Sequence, residues 1–310
     1  MTLGVRPAGV TRLGWDDRRV TRTSPRNRTP RIRAALLVPL VGALLAFPGI
    51  PGRGEPTRRD AAARHPKPPI VVIVMENHEY DTIMHSSSAG YLRSFARRGT
   101  LFTRFYARYH PSLPNYLEMT SGHTSGCTSD SCPTKHYRTD NLFHQLSRAR
   151  IAWVAWEESM GTSCRVTSSG SYVARHNPPV YYADLFPKIC PAHDRPYPTR
   201  PPATLGPFTF VTPNLCHDMH ECSIATGDQW LREHVPPLLR RGAVVVITFD
   251  EGSSGEGGGG HVFTAVAGHG VRRGTRNHKR FTHAGLLAGL ERWFGVPRLY
   301  HARRARPLPV

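Results

Sequence analysis

A chain of 310 residues with 39% hydrophobic content can bury one substantial core, and 28 Gly with 28 Pro points to many irregular loops rather than a helical bundle. The formal net charge of +19 does not by itself indicate nucleic-acid binding: residues 1–65 hold 13 Arg against 4 acidic residues, and no nucleic-acid motif accompanies the rest. The remaining basic surplus suits phosphorylated substrates or transient contact with an anionic membrane surface.

Arg31 and Arg33 precede an apolar stretch over residues 34–47, the pattern of an export signal with a long basic lead. That stretch is shorter than a typical membrane-spanning helix. No small-x-small cleavage site stands out, so the expectation is a secreted or extracellular protein, with a retained N-terminal anchor left open. The pair Arg18 and Arg19 lies too far from the apolar stretch to assign a twin-arginine route. The expected organisation is lead and signal or anchor over 1–47, a Pro/Gly/Arg-rich linker over 48–68, one catalytic domain over 69–300, and a basic tail over 301–310.

Residues 69–75, PIVVIVM, form a continuous apolar, β-branched run, as expected of a strand covered on both faces of a parallel sheet. Helical spacing follows over 91–98, strand-like alternation over 100–106, a helix over 141–148 and a strand over 151–156. The Pro-, Ser-, Tyr- and His-rich stretch 161–205 reads as long loops over one end of the sheet. A short strand near 209–211 and a partly helical stretch over 227–239 lead to a second buried-strand run over 243–249, AVVVITF. A strand near 262–266 and a helix over 284–294, stopped by Gly295, complete the domain. The alternation of strand and helix predicts βαβ units.

Six cysteines agree with an oxidising compartment and are expected to pair with their sequence neighbours: Cys127 with Cys132, Cys164 with Cys190, and Cys216 with Cys222. No finger-like Cys/His spacing favours zinc ligation by them.

Each strong strand ends in metal-ligand types, Glu76 and Asn77 after the first, Asp250 and Glu251 after the second. Ligands collect where loops converge at the carboxyl ends of parallel strands. Oxygen ligands from these four residues suit a divalent ion such as Mg, Ca, Mn or Zn. Between them, two prolines flank Ser112, whose hydroxyl needs a base or a metal to become a nucleophile. There is no G-x-S-x-G elbow, which disfavours an ordinary esterase. The stretch 213–228 concentrates His217, Asp218, His220 and Glu221, with His176 and His283 as further candidates among the 17 His of the chain. The Gly-rich stretch 252–260 reads as a flexible lid or a tolerated insertion.

Taken in order, ENHEYD at Glu76, HPSLPNYLEMTSG at His110, YVARHNPP at Tyr172, HDMHECSIATGDQWL at His217, VVITFDE at Val245 and FTHAGLLAGLERWFGVPRL at Phe281 resemble the bacterial phosphoesterase family of the alkaline phosphatase superfamily. That family contains secreted acid phosphatases and phosphatidylcholine-type phospholipases C. The resemblance covers about residues 69–300 and implies an α/β fold, alkaline-phosphatase-like, with a mostly parallel central sheet flanked by helices and long loops over the active-site end. It implies that Glu76, Asn77, Asp250 and Glu251 bind metal and that Ser112 both coordinates it and attacks phosphorus. It further implies that His110, His176, Asp218, His220 and His283 surround the phosphoryl group, with a protonated His220 or His283 assisting the leaving alcohol.

The expected activity is that of a secreted metal-dependent acid phosphatase working through phosphoserine, on phosphorylated small molecules including phosphoinositides. The alternative is a phospholipase C acting on a phospholipid headgroup, with Tyr181, Tyr182, Phe186 and Tyr197 offering aromatic faces to choline. No nucleic-acid partner and no obligate protein partner is inferred.

Overall fold

The computed structural model describes residues 67–310. The lead, the apolar stretch and all of the 48–68 linker except Lys67 and Pro68 lie outside the described residues.

The chain enters through β1 (Ile70–Met75), every residue of which is buried, and continues into the short helix α1 (Tyr80–His85) and α2 (Gly90–Arg97). β2 (Thr100–Phe102) and β3 (Phe105–Tyr106) follow, then α3 (Ser112–Ser121), α4 (Leu142–Arg148) and β4 (Trp153–Glu157). A run of single 3-10 turns leads to α5 (Ile189–His193), β5 (Asp194–Pro196) and β6 (Phe208–Thr212). The long α6 (Ile224–Arg240) precedes β7 (Val244–Phe249), and β8 (Thr264–Gly268), β9 (Thr275–Asn277), β10 (Phe281–Thr282) and α7 (His283–Phe294) complete the order.

Eight strands form one sheet in the order β5-β4-β6-β1-β7-β8-β2-β9. β5, β4, β6, β1 and β7 run parallel, and β8 is antiparallel to both of its neighbours, β7 and β2. β1 and β7 are the apolar β-branched runs because they lie side by side at the centre, covered on both faces. Their register pairs Met75 with Phe249, so the next residues, Glu76 and Asp250, leave the sheet together.

The structure differs from expectation in several elements. The run 100–106 is not one strand: it breaks after Phe102, and β3 pairs instead with β10 in a separate two-stranded sheet. Ser112, between its two prolines, opens α3, with Pro114 in the first turn, where a missing N–H breaks no helical bond. The loops of 161–205 also supply β5, an edge strand of the main sheet.

The Gly-rich stretch is not a free lid. Gly252 N donates to Gly259 O at 2.8 Å, and Gly259 N donates to Ala107 O at 3.1 Å. At Gly258, φ is +110° and a Cβ would lie 2.2 Å from the Arg108 carbonyl oxygen. Close backbone approach, rather than mobility, requires glycine there. Glu79 anchors the same loop by accepting from Ser254 N at 2.8 Å and His261 N at 3.0 Å.

The three disulfides join Cys127 to Cys132, Cys164 to Cys190 and Cys216 to Cys222. Helix α2 begins without a cap from its own preceding residue; instead the buried Asp228 of α6 accepts from Tyr91 N and Leu92 N, both at 2.8 Å. Asp228→Ala is expected to cost about 2–3 kcal/mol, because it strips the first turn of α2 of both acceptors. Asp228→Asn, which keeps one oxygen acceptor but turns an NH2 toward the other backbone N–H, should recover only part of that cost in urea unfolding.

Candidate active site

Glu76 is fully buried at the end of β1. Its backbone N–H donates to the Asp218 carbonyl at 2.9 Å, which draws the 213–222 loop across the strand end. Asn77 then turns the chain with φ +57°, a left-handed conformation that Asn tolerates better than most residues. The Asn77 N–H donates to Asp250 Oδ1 at 3.2 Å, and Glu251 N donates to the same oxygen at 2.6 Å. Asp250 Oδ2 is buried and has no hydrogen-bond partner.

Helix α3 brings Ser112 to this cluster at the helix's positive end. Its hydroxyl donates to Glu76 Oε2 at 3.1 Å, and one turn on, Tyr116 donates to Glu76 Oε1 at 2.5 Å. Leu113 N donates to Asp130 Oδ1 at 3.0 Å, which holds the start of the helix. Glu251 meets His110 Nδ1 at 3.0 Å and accepts from Asn115 Nδ2 at 3.3 Å. His110 Nε2 lies 2.9 Å from the Ser254 carbonyl.

On the opposite side of Glu76, buried His176 lies between Glu76 Oε1 and Asp218 Oδ2, at 3.3 Å from each. His220 sits beside them with Nε2 3.3 Å from Arg175 Nη2 and Nδ1 3.0 Å from Glu221. Glu76, His176 and His220 present ligand atoms within 4.8 Å of one another. A second group with that property, Asp140, His144 and Asp184, is half-buried and is already engaged by Arg148 and Asn141. Divalent-ion ligand sets are therefore present, and Glu76 is common to the histidine set and the strand-end carboxylates.

Burial disfavours the charged form of every acid in this cluster. Glu76 is held well above the usual carboxylate range by burial and then by the charges of Asp250 and Asp218. Burial lifts Asp250 to about 6, and burial with the Asp250 charge lifts Glu251 to about 9. Asp218 is raised to about 8, chiefly by burial. Packing carboxylates so closely without a matching charge is unfavourable, and the unpartnered Asp250 Oδ2 faces the same cost. The donor set thus fits a divalent cation.

The geometry assembles Glu76, Asn77, Ser112, Asp250, Glu251, His110, His176, Asp218 and His220 around one strand end. His283 differs from expectation. It is fully buried under β7, its Nε2 lies 3.0 Å from the Phe249 carbonyl, and burial drives its pKa down to about 4. A protonated His283 donating to a leaving alcohol at neutral pH is therefore unfavourable. The choline cage is also absent: Tyr181 and Tyr182 are buried, the Tyr182 hydroxyl lies 2.6 Å from Thr120 Oγ1, Lys135 lies 4.8 Å over the Phe186 ring, and Tyr197 packs on Trp230 and His234. Sequence reasoning missed Arg175 and Asp130, which lie 3.5 Å apart and link the His220 side of the site to the start of α3. The basic residue inside YVARHNPP was the available signal for Arg175.

The phosphoesterase family model matches residues 85–297, well over half of the chain. The chain belongs to the phosphoesterase family. The matched span contains Ser112, Asp250 and Glu251, whereas Glu76 and Asn77 precede it. The chain is 32% identical over 247 residues to a phosphatidylinositol-3-phosphatase of Mycobacterium tuberculosis, covering 77% of this chain and 81% of that relative. It is 26% identical over 252 residues to a phosphate-repressible acid phosphatase of Penicillium chrysogenum, covering 74% of this chain but 59% of that one. An alkaline phosphatase superfamily protein from Vibrio parahaemolyticus shares the fold with a TM-score of 0.53 and 9% identity, over 78% of this chain and 70% of that one. Murine ectonucleotide pyrophosphatase/phosphodiesterase 5 does so with a TM-score of 0.54 and 10% identity, over 76% and 97%. This phosphoesterase accordingly has the alkaline-phosphatase-like α/β fold, with a mixed central sheet, and its chemical class is hydrolysis of phosphate esters.

Proposed function

We infer that the protein is a secreted, divalent-metal-dependent phosphomonoesterase of the acid phosphatase type that works through a phosphoserine on Ser112. The observation that carries this reading is the Ser112 hydroxyl, buried at the start of α3 and donating to Glu76 at 3.1 Å beside the Asp250 and Glu251 carboxylates. A divalent cation held there by Glu76, Asn77, Asp250 and Glu251 with Ser112 would supply Lewis-acid stabilisation of phosphoryl charge and favour the serine alkoxide.

The chain's own residues supply the rest. Glu76 Oε2 holds the Ser112 proton and Tyr116 fixes the other oxygen of Glu76, so attack by Oγ on phosphorus releases its proton toward a carboxylate. The Ser–O–P bond forms as the P–O bond to the alcohol breaks. Arg175 and His220 lie beside Glu76, and the Arg175 guanidinium is the group that would donate to phosphoryl oxygens, while His220 Nε2 accepts from Arg175 and so holds that guanidinium in place. His176 is driven well below its usual pKa by burial and then by Arg175, so it acts as a neutral spacer between Glu76 and Asp218. Water then attacks phosphorus, the Ser–O–P bond breaks and phosphate leaves.

Phosphoinositides are a proposed substrate class, supported by the phosphatase name of the mycobacterial relative. Incubation of the protein with p-nitrophenyl phosphate, a phosphatidylinositol monophosphate and phosphatidylcholine tests the reading. Phosphate release from the monoesters is the expected dominant reaction. Diacylglycerol as the dominant product would establish the diesterase instead.

A further inference from the structure

Away from the strand-end cluster, an open cavity of about 640 Å³ is lined by Arg108, Arg280, Tyr300, His301, Arg303 and Arg304, with small residues and Thr282 completing its wall. None of the residues assigned above to metal or nucleophile lines it, and no acidic side chain does either. Its basic groups come from three separate segments, before α3, before α7 and after α7, so the fold converges them on one space.

Only one of these guanidinium groups is neutralised by a carboxylate among the described residues: Arg108 pairs with Glu118 at 2.9 Å. His301 also contacts Glu118, at 3.2 Å. Glu118 is fully buried beneath them, so its charge is already shared. Arg280 lies over the Tyr106 ring at 4.1 Å, which fixes the guanidinium while leaving its charge uncompensated. Thr282, which precedes the 12-residue α7 and makes no side-chain capping bond, and Ala284 line the same cavity, so the start of that helix borders it.

The geometry points to this cavity as a second anion site, taking a ligand that carries more than one phosphate group. A single phosphate could pair with one or two guanidinium groups, whereas Arg280, Arg303 and Arg304 are spread over a space much larger than one phosphate needs. Tyr300, 41% exposed, adds an aromatic wall at the mouth suited to a ring or lipid-headgroup carbon frame. This site is independent of the assignment of Ser112.

The test uses the full chain carrying Ser112→Ala, with chelator present, so that turnover does not consume the probe. Inositol hexakisphosphate is titrated by calorimetry, and in a parallel arm phosphatidylcholine vesicles doped with a phosphatidylinositol bisphosphate are sedimented with the protein. Arg280→Gln with Arg304→Gln is expected to weaken binding of the soluble probe at least about tenfold. Arg272→Gln with Arg273→Gln, on the exposed β8–β9 turn, removes the same charge elsewhere and should leave binding within about twofold. Vesicle binding lost in the cavity variant assigns the phosphates to a lipid, and soluble-probe binding without vesicle binding assigns them to a free compound. Absence of binding in both arms, or equal loss in the two double variants, overturns the site.

Discussion

Ser112→Ala is expected to lower kcat on a phosphomonoester by at least roughly 10³-fold and to abolish any acid-stable phosphoenzyme. The substitution removes one oxygen from a residue that is 3% exposed and creates no large cavity. Tyr116 still donates to Glu76, and the Asp130 oxygen still accepts from the backbone of residue 113. The melting temperature should therefore change by only a few degrees, as expected for loss of one hydrogen bond worth about 1 kcal/mol. The chemical defect then separates from folding. Rapid acid quench of wild-type enzyme with labelled substrate should trap label on the peptide containing Ser112. Turnover within about tenfold of wild type in the alanine variant would remove Ser112 as nucleophile and leave direct attack by water.

The parts of this site that were legible in the sequence are those that follow from strand composition. Two uninterrupted β-branched runs must be central strands, and polar residues directly after them must sit at a sheet end. That reasoning found Glu76, Asn77, Asp250 and Glu251. It could not show that β1 and β7 are neighbours in register, which is what places Glu76 beside Asp250, because register depends on the whole strand order. Ser112 was visible as a serine between prolines, yet its helix was not. SLPNYLEMTS is buried along its entire length and lacks the amphipathic period by which a surface helix is read. The glycine run misled for a related reason. Glycine needed for close backbone approach at Gly258 has the same composition as glycine needed for mobility, and only the Arg108 carbonyl beside it distinguishes the two. His283 has a similar history: its position before α7 was clear, but its burial under β7 sets its pKa and cannot be read from neighbours in sequence.

Removal of divalent ions is expected to convert the carboxylate cluster into a source of instability that grows with pH. Burial raises Asp250 to about 6, Asp218 to about 8 and Glu251 to about 9, so the folded chain binds these protons more tightly than the unfolded chain does. The stabilisation from that proton affinity is fully present below the unfolded carboxyl range near pH 4. It is lost as pH rises through about 6 to 9. Chelated protein should consequently melt at progressively lower temperature from pH 5 to pH 9. A divalent ion competes with the same protons, so its stabilising effect should be larger at pH 8 than at pH 5. At an ion concentration about 100 times the dissociation constant, linkage gives about 2.7 kcal/mol, or a rise of roughly 5–10 °C for a domain of this size. Asp250→Asn supplies the control. Its amide oxygen can still accept from the N–H groups of Asn77 and Glu251, while one buried charge is gone. That variant should show a shallower pH dependence when chelated and a smaller ion response at pH 8. A flat melting profile in chelator, with no shift on adding Mg, Ca, Mn or Zn, would mean that these acids stay protonated and bind no cation, which leaves neither a metal nor a Glu76 carboxylate to activate Ser112 and overturns the proposed mechanism.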